Sequence, residues 1–282
     1  MNFASSDRGG VDYEPCRYGN SRITFRGPKA ACAGDFIAMI GGTETYGKFV
    51  PDPCSAQLGR ATGLPVANFG IPNAGLDAFV HDPSILGIAA GARHSVVQVM
   101  GAQNMSNRFY SVHPRRNDRF VRASDTLMGL FPEIDFTDHA FTRSMLQALL
   151  DTAPDRFALV VAEVQAAWVA RMKMILAEIG GAPVLLWAAR DEPPEAATFA
   201  AGDTLSGDPL FVTRPMLEAL RPRVRDIVVY TPSASARAAG TSGMVFSDFD
   251  ASAAARMLGA EAHTEIAEAL YPLLATVEAV AA

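Results

Sequence analysis

The chain has 282 residues, of which 49% are hydrophobic and 19% charged; these are ordinary proportions for a globular fold able to bury a substantial core. Its net charge of −6 argues against non-specific nucleic-acid binding, which calls for a basic excess. Three scattered cysteines, Cys16, Cys32 and Cys54, have no histidine at metal-ligand spacing, which argues against a disulfide framework and a zinc site and for a reducing compartment.

Residues 1–34 are rich in Gly, Arg, Tyr and Pro without a clear period and predict an N-terminal arm. They carry no apolar signal-peptide core, and no run in the chain approaches 18 apolar residues. The expectation is therefore a cytoplasmic protein with no membrane span. Within the arm, Arg22, Arg26 and Lys29 surround alternating apolar residues. They read either as a short edge strand with solvated charges or as a strap bringing a cation to a site. Residues 35–282 are expected to form one α/β domain.

Phe36–Ile40 is a short apolar run closed by the Gly-rich turn GGTETYG, the pattern of a buried strand and its exit loop. A helix follows over Pro51–Thr62, then a strand at Val66–Phe69 ending in GIPNAG. Asp82 before Pro83 marks a helix start. SVVQVM at Ser95–Met100 is a third strand, ending in GAQN. Residues 103–125 then read as one long polar loop, dense in amides and arginines, and an ordered loop of that length is often functional. Helical periodicity resumes over Asp138–Leu150 and Pro154–Ile179, the latter stopped by Gly180 and Gly181. Strands follow at Pro183–Trp187 and Asp226–Tyr230, with a short helix at Arg214–Arg221 between them. Helices at Asp250–Met257 and Glu261–Val280 close the pattern. Five strands alternating with helices imply right-handed crossovers and a parallel sheet covered on both faces. In such sheets ligands sit beyond the carboxyl ends of the strands, which directs attention to the three Gly-rich turns.

Those turns, GGTETYG, NFGIPNAG and GAQN, followed near the C-terminal end by GAEAHTEIAEAL, resemble in order and spacing the sequence blocks of the SGNH, or GDSL-type, hydrolase superfamily. The resemblance covers about residues 36–275. It implies a three-layer α/β/α, flavodoxin-like fold with a sheet of about five parallel strands. It also implies a nucleophile in the first block, oxyanion donors in the second and third, and an Asp-x-x-His pair in the last. Carried onto this chain, Thr43 stands at the nucleophile and Gly42 at the residue before it. Asn73 stands at the second-block Gly and Gln103 at the third-block Asn. Ala254 and Met257 fall on the final Asp and His, so the usual relay of acid, base and hydroxyl is absent. Fragments such as GGTETYGKFV, MGAQNMSNRFYSVHPRRNDRF and AWVARM are also similar to an uncharacterised bacterial family.

Two readings follow. In the first, other groups serve the same crevice. Thr43 is the nucleophile or a ligand, and Glu44, His113 and His263 are the acid/base candidates. Asn73 and Gln103 are oxyanion donors, and Asn104, Asn107, Arg108, Arg115 and Arg116 grip a carbohydrate-like or anionic substrate. The reaction is then ester hydrolysis or acyl or group transfer on a small molecule or glycan. In the second, the fold is a catalytically silent binding or scaffold protein. The plainer roles are a helix-capping hydroxyl for Thr43, turn-satisfying amides for Asn68 and Asn73, and loop ion pairs for the arginines. No Gly-Lys-Ser/Thr ending follows the first turn and no Gly-x-Gly-x-x-Gly follows the first strand, so no nucleotide cofactor and no metal is expected.

Overall fold

The apolar runs of the sequence become the strands of one sheet because their side chains need cover on both faces. The computed structural model describes residues 10–275. In chain order the elements begin with strand β1 (Ile37–Gly41), the one-turn helix α1 (Thr43–Tyr46), α2 (Cys54–Thr62) and β2 (Val66–Gly70). There follow α3 (Asp77–Val80), α4 (Pro83–Ala90), β3 (His94–Gln98), β4 (Tyr110–His113), β5 (Arg116–Ala123), α5 (Asp125–Leu130), α6 (Thr142–Thr152) and α7 (Pro154–Ile179). The chain continues through β6 (Val184–Ala188), α8 (Arg214–Glu218), β7 (Asp226–Tyr230), α9 (Ala234–Ala239), α10 (Ala251–Ala254) and α11 (Ala260–Leu274). The expected end of the last helix at Val280 and the first nine residues of the arm lie outside the described residues.

Five parallel strands pair in the order β2-β1-β3-β6-β7. This is the doubly wound order 2-1-3-4-5 of an open α/β sheet. Alternation along β1 divides the core. Ala38 and Ile40 face a cluster built with α4, α6 and α7, around Trp168 and Phe157. Ile37 and Met39 face a second cluster with α2, α9 and α11, around Leu58, Ile266 and Leu270. The result is a three-layer α/β/α architecture. The arm contributes to the first cluster: Tyr18 and Phe25 stack edge-on against Phe69 of β2 at 5.0 and 5.5 Å.

Several local signals act as expected. Asp82 accepts the Ile85 amide and Pro83 opens α4. Pro154 opens α7 and Gly180 closes it with φ 65°. The long polar loop is a correction. Residues 110–123 form an antiparallel hairpin, β4–β5, in a sheet of their own. Tyr110 and Val112 are buried and Phe120 is half-buried on one face, so an alternating strand pattern exists. It is obscured in the sequence because arginines occupy the opposite face. Asp138 also proves to end a short 3₁₀ turn, and the helix starts at Thr142.

Candidate functional site

The sheet's carboxyl edge brings three turns together, and the first is held by polar side chains from its neighbours. After Gly41 the chain bends at Gly42 into α1. The Oε1 oxygen of Gln98, at the end of β3, accepts the Gly42 amide at 3.0 Å, the Thr45 amide at 2.9 Å and the Thr45 hydroxyl at 2.6 Å. From β2, Asn68 donates to the Thr45 carbonyl at 2.7 Å and to the Ser55 hydroxyl at 2.9 Å, and it accepts the Gly70 amide at 2.8 Å. From the arm, Arg26 donates to the carbonyls of Tyr46, Gly47 and Pro51 at 3.2, 2.6 and 2.8 Å. A cation at a helix C-terminus satisfies carbonyls that have no partner within the helix. Gly47 completes that end at φ 70°, a conformation that favours glycine. Arg26 is thus the buried strap cation, and what it grips is the end of α1.

Thr43 is the first residue of α1, and its hydroxyl does not cap the helix; Gly42 is the N-cap and no side chain bonds there. Its Oγ1 instead accepts the backbone N–H of Asn73 at 3.0 Å. Asn73 has φ 57°, a left-handed conformation that Asn tolerates better than most residues. Its carbonyl accepts from the Asn104 amide at 3.1 Å, and Asn104 Oδ1 accepts from the Thr142 hydroxyl at 2.7 Å. The chain of bonds runs from α6 through Asn104 to the loop that donates to Thr43. Two residues on, Gly75 packs directly on the Asn104 carbonyl oxygen, where a Cβ would overlap it. Replacing Gly75 with Ala is expected to destabilise the fold by about 3 kcal/mol through that overlap, read as a lowered denaturant midpoint.

Glu44 faces the C-terminal segment, where its carboxyl meets the Leu258 amide. It borders a cleft with Cys54, Gln98, Ala188 and Ile266 that is too narrow for a water molecule. Burial there pushes its carboxyl up to about 8; the Leu258 amide opposes the shift, the Asp208 carboxylate adds to it, and Arg190 opposes it. Arg190 donates to the carbonyls of Ala255 and Met257. The Glu44 carboxyl therefore faces the very segment whose Ala254 and Met257 lack acid/base chemistry. Gln103, 4% exposed, donates its amide to Asp208 at 3.2 Å. Arg143 holds both Asp208 oxygens at 2.7 and 2.8 Å.

The structure thus gathers Thr43, Glu44, Asn73, Gln103 and Asn104 around one edge of the sheet, and it disperses the rest. His263 is 1% exposed. Its Nδ1 accepts the Cys54 amide at 3.2 Å, serving the first amide of α2, where Pro53 offers no side-chain cap. Burial depresses it to about 4, so it is a neutral acceptor, and nearby Arg26 adds to the effect. Asn107 folds back on its own turn, accepting the amides of Phe109 and Tyr110. Arg108 pairs with Glu163 of α7 at 3.0 Å. His113 sits at the hairpin tip, where its Nδ1 accepts the Arg115 amide at 3.3 Å; Arg115 and Arg116 are exposed beside it. That tip is moored beside the Asn73 loop, because Asn117 accepts the amides of Gly75 and Ala78. Among the described residues, no histidine hydrogen-bonds Thr43.

A protein-family match spans residues 1–278, to a domain of unknown function, DUF6473. The chain belongs to the DUF6473 family. No curated protein matches it. Sequence reasoning did not place four residues that shape the DUF6473 site. Gln98 carried a signal, being the one amide inside the apolar strand SVVQVM. Arg26 had a partial signal in the cationic strap. Asp208 and its partner Arg143 had none, since 65 residues separate them.

Proposed function

We propose that the DUF6473 chain is an SGNH-like hydrolase or acyl or group transferase acting on a polar, carbohydrate-like substrate, with Thr43 and Glu44 replacing the usual serine and histidine. The observation that carries this reading is the Asn73 amide aimed at the Thr43 oxygen at 3.0 Å, at the strand edge where α/β sheets bind ligands. A backbone N–H directed at the hydroxyl oxygen fixes its orientation and stabilises the negative charge that oxygen gains as its proton leaves. Glu44 supplies the acid/base group. Its carboxyl, raised to about 8 by burial, lies near the range in which a general base is effective. In the proposed step the Thr43 oxygen attacks the substrate's acyl carbon. For this step the ionised Glu44 side chain swings from the Leu258 amide toward Thr43, one residue away, takes the hydroxyl proton and passes it to the leaving alkoxide. Water or a second hydroxyl releases the acyl group.

The test is turnover of a panel of aryl and acetylated-sugar esters by the wild type, Thr43→Ala, Thr43→Ser and Glu44→Gln. Removing a nucleophile or its base is expected to lower kcat at least about a hundredfold. Thr43→Ser retains turnover, and wild-type turnover rises as pH passes about 8. Turnover unaffected by Thr43→Ala would sink the proposal.

One observation favours a second reading, a silent binding protein: no histidine among the described residues bonds to Thr43, and buried Ala254 stands where the acid is expected. That reading anticipates no turnover on any ester. It further anticipates that polyols or sugars raise the melting temperature of the wild type, with the gain lost in Thr43→Ala.

A further inference from the structure

The β4–β5 hairpin has one face in the core and one facing outward. Tyr110 and Val112 turn inward. On the register, Ser111 pairs with Arg122 and His113 with Arg116, and Arg115 lies in the turn between the strands. Arg115, Arg116 and Arg122 are exposed. Among the described residues, none of these three, nor Arg119, forms an ion pair. Eight other arginines do, at positions 60, 93, 108, 143, 156, 171, 214 and 221. In a chain of net charge −6, four unpaired arginines within eight residues are a local excess. Crowded along one strand and its turn, these like charges repel one another, so fold stability does not account for them.

Apolar surface continues beside these charges. Arg119 lies 3.9 Å over the Phe141 ring, which is 43% exposed, and Val121 and Met128 are 56% and 44% exposed. A groove of about 480 Å³ follows, lined by Met128, Phe131, Ile134 and Phe136. It joins the hairpin where Phe120 and Phe136 pack 6.3 Å apart. Of the two acids at its rim, Glu133 is charge-paired with Arg156 at 2.8 Å, and Asp135 is hydrogen-bonded within its own turn, accepting from Thr137.

We propose that this surface docks an acidic segment of a protein partner, its carboxylates on Arg115, Arg116, Arg119 and Arg122 and an apolar side chain in the adjoining groove. Charge complementarity selects the sign of the partner. The apolar groove beside the arginines favours a polypeptide over a polyanion that has charge alone, and the net negative charge of the chain opposes nucleic acid. Arginine suits the role because its planar fork grips carboxylates with two bonds. The inference is independent of any chemistry at Thr43.

The probe is a fluorescein-labelled peptide of glutamates interspersed with Leu and Phe, compared with its Gln counterpart by anisotropy at low and at physiological salt. The full chain is expected to bind the Glu peptide, more weakly as salt rises. The double variant Arg116→Glu/Arg122→Glu is expected to bind it at least about tenfold more weakly. Arg223→Glu, an exposed charge elsewhere, is expected to leave binding unchanged. Thermal melts of each variant separate lost binding from lost fold. The proposal is overturned by equal binding to the folded double variant, by equal binding of the Gln peptide or by no binding to the wild type. Tighter binding of a single-stranded oligonucleotide or of phosphatidylserine vesicles than of the Glu peptide would also overturn it.

Discussion

Replacing Gln98 with Leu is expected to lower the stability of the chain by about 3–5 kcal/mol. Leu fills nearly the same volume, so little cavity forms. What is lost is one oxygen that accepts three donors, the Gly42 amide, the Thr45 amide and the Thr45 hydroxyl. The site is buried, with Gln98 6% and Thr45 2% exposed, so water does not replace the missing acceptor. Each of the three stranded donors costs about 1–3 kcal/mol, about 3–9 in sum, and partial relaxation of α1 brings the total to the lower part of that sum. Chemical denaturation gives the stability directly. An unchanged denaturant midpoint would show that the turn is not held by Gln98. Because Thr43 is carried on the same turn, exchange protection of the α1 amides should fall along with global stability.

Glu44→Gln is expected to remove a pH dependence of stability. The carboxyl's ordinary value of 4.5 is raised to about 8 in the folded chain. Between those values the folded state holds a proton that the unfolded state has released. Stability therefore falls as pH rises from about 4.5 to about 8, and it levels off above. Below pH 4.5 both states are protonated and the group contributes no difference. A little over three pKa units at about 1.4 kcal/mol each sets an upper bound, and partial exposure of the side chain reduces it to on the order of 2–4 kcal/mol. Glu44→Gln keeps the shape and stays neutral, so it should match the wild type near pH 4.5 and be the more stable of the two at pH 9. Denaturant melts across that interval read the slope. If wild type and variant run parallel from pH 5 to 9, Glu44 is not held neutral, and the case for it as the base weakens with it.

The two expectations concern adjacent residues that differ in how far they were visible. Glu44 was legible as a candidate because it follows Thr43 in a Gly-rich exit turn. Its altered acidity was not, since that comes from Cys54, Ala188 and Ile266 closing around it. His263 shows the opposite case. Its position in the final helix suggested a base, yet its burial and its bond to the Cys54 amide give it a neutral, structural role. A histidine's partner across the fold decides its chemistry, and sequence position alone does not report that partner.

The amides of residues 103–117 divide in the same way. Their density suggested a ligand-gripping loop. In the folded chain Asn104 supports the Asn73 carbonyl, Asn107 closes its own turn, and Asn117 moors the hairpin to Gly75 and Ala78. Buried backbone groups need partners wherever regular structure is interrupted, and these side chains supply them.

By itself the sequence determined the α/β class, the five sheet strands and the limits of α4 and α7. Those features follow from the period of apolar residues and from local punctuation such as Asp82-Pro83, Pro154 and Gly180. It also determined that Gly-rich turns end three of the strands. Only the tertiary structure decided that Gln98, Asn68 and Arg26 hold the first turn, that Asp208 and Arg143 fix Gln103, and that Thr43 faces the Asn73 amide while Glu44 faces Leu258. The physical reason is that periodicity and turn chemistry act over a few residues. Hydrogen bonds and burial at this site join groups as much as 209 residues apart, and those pairings exist only once the strands have taken their order in the sheet.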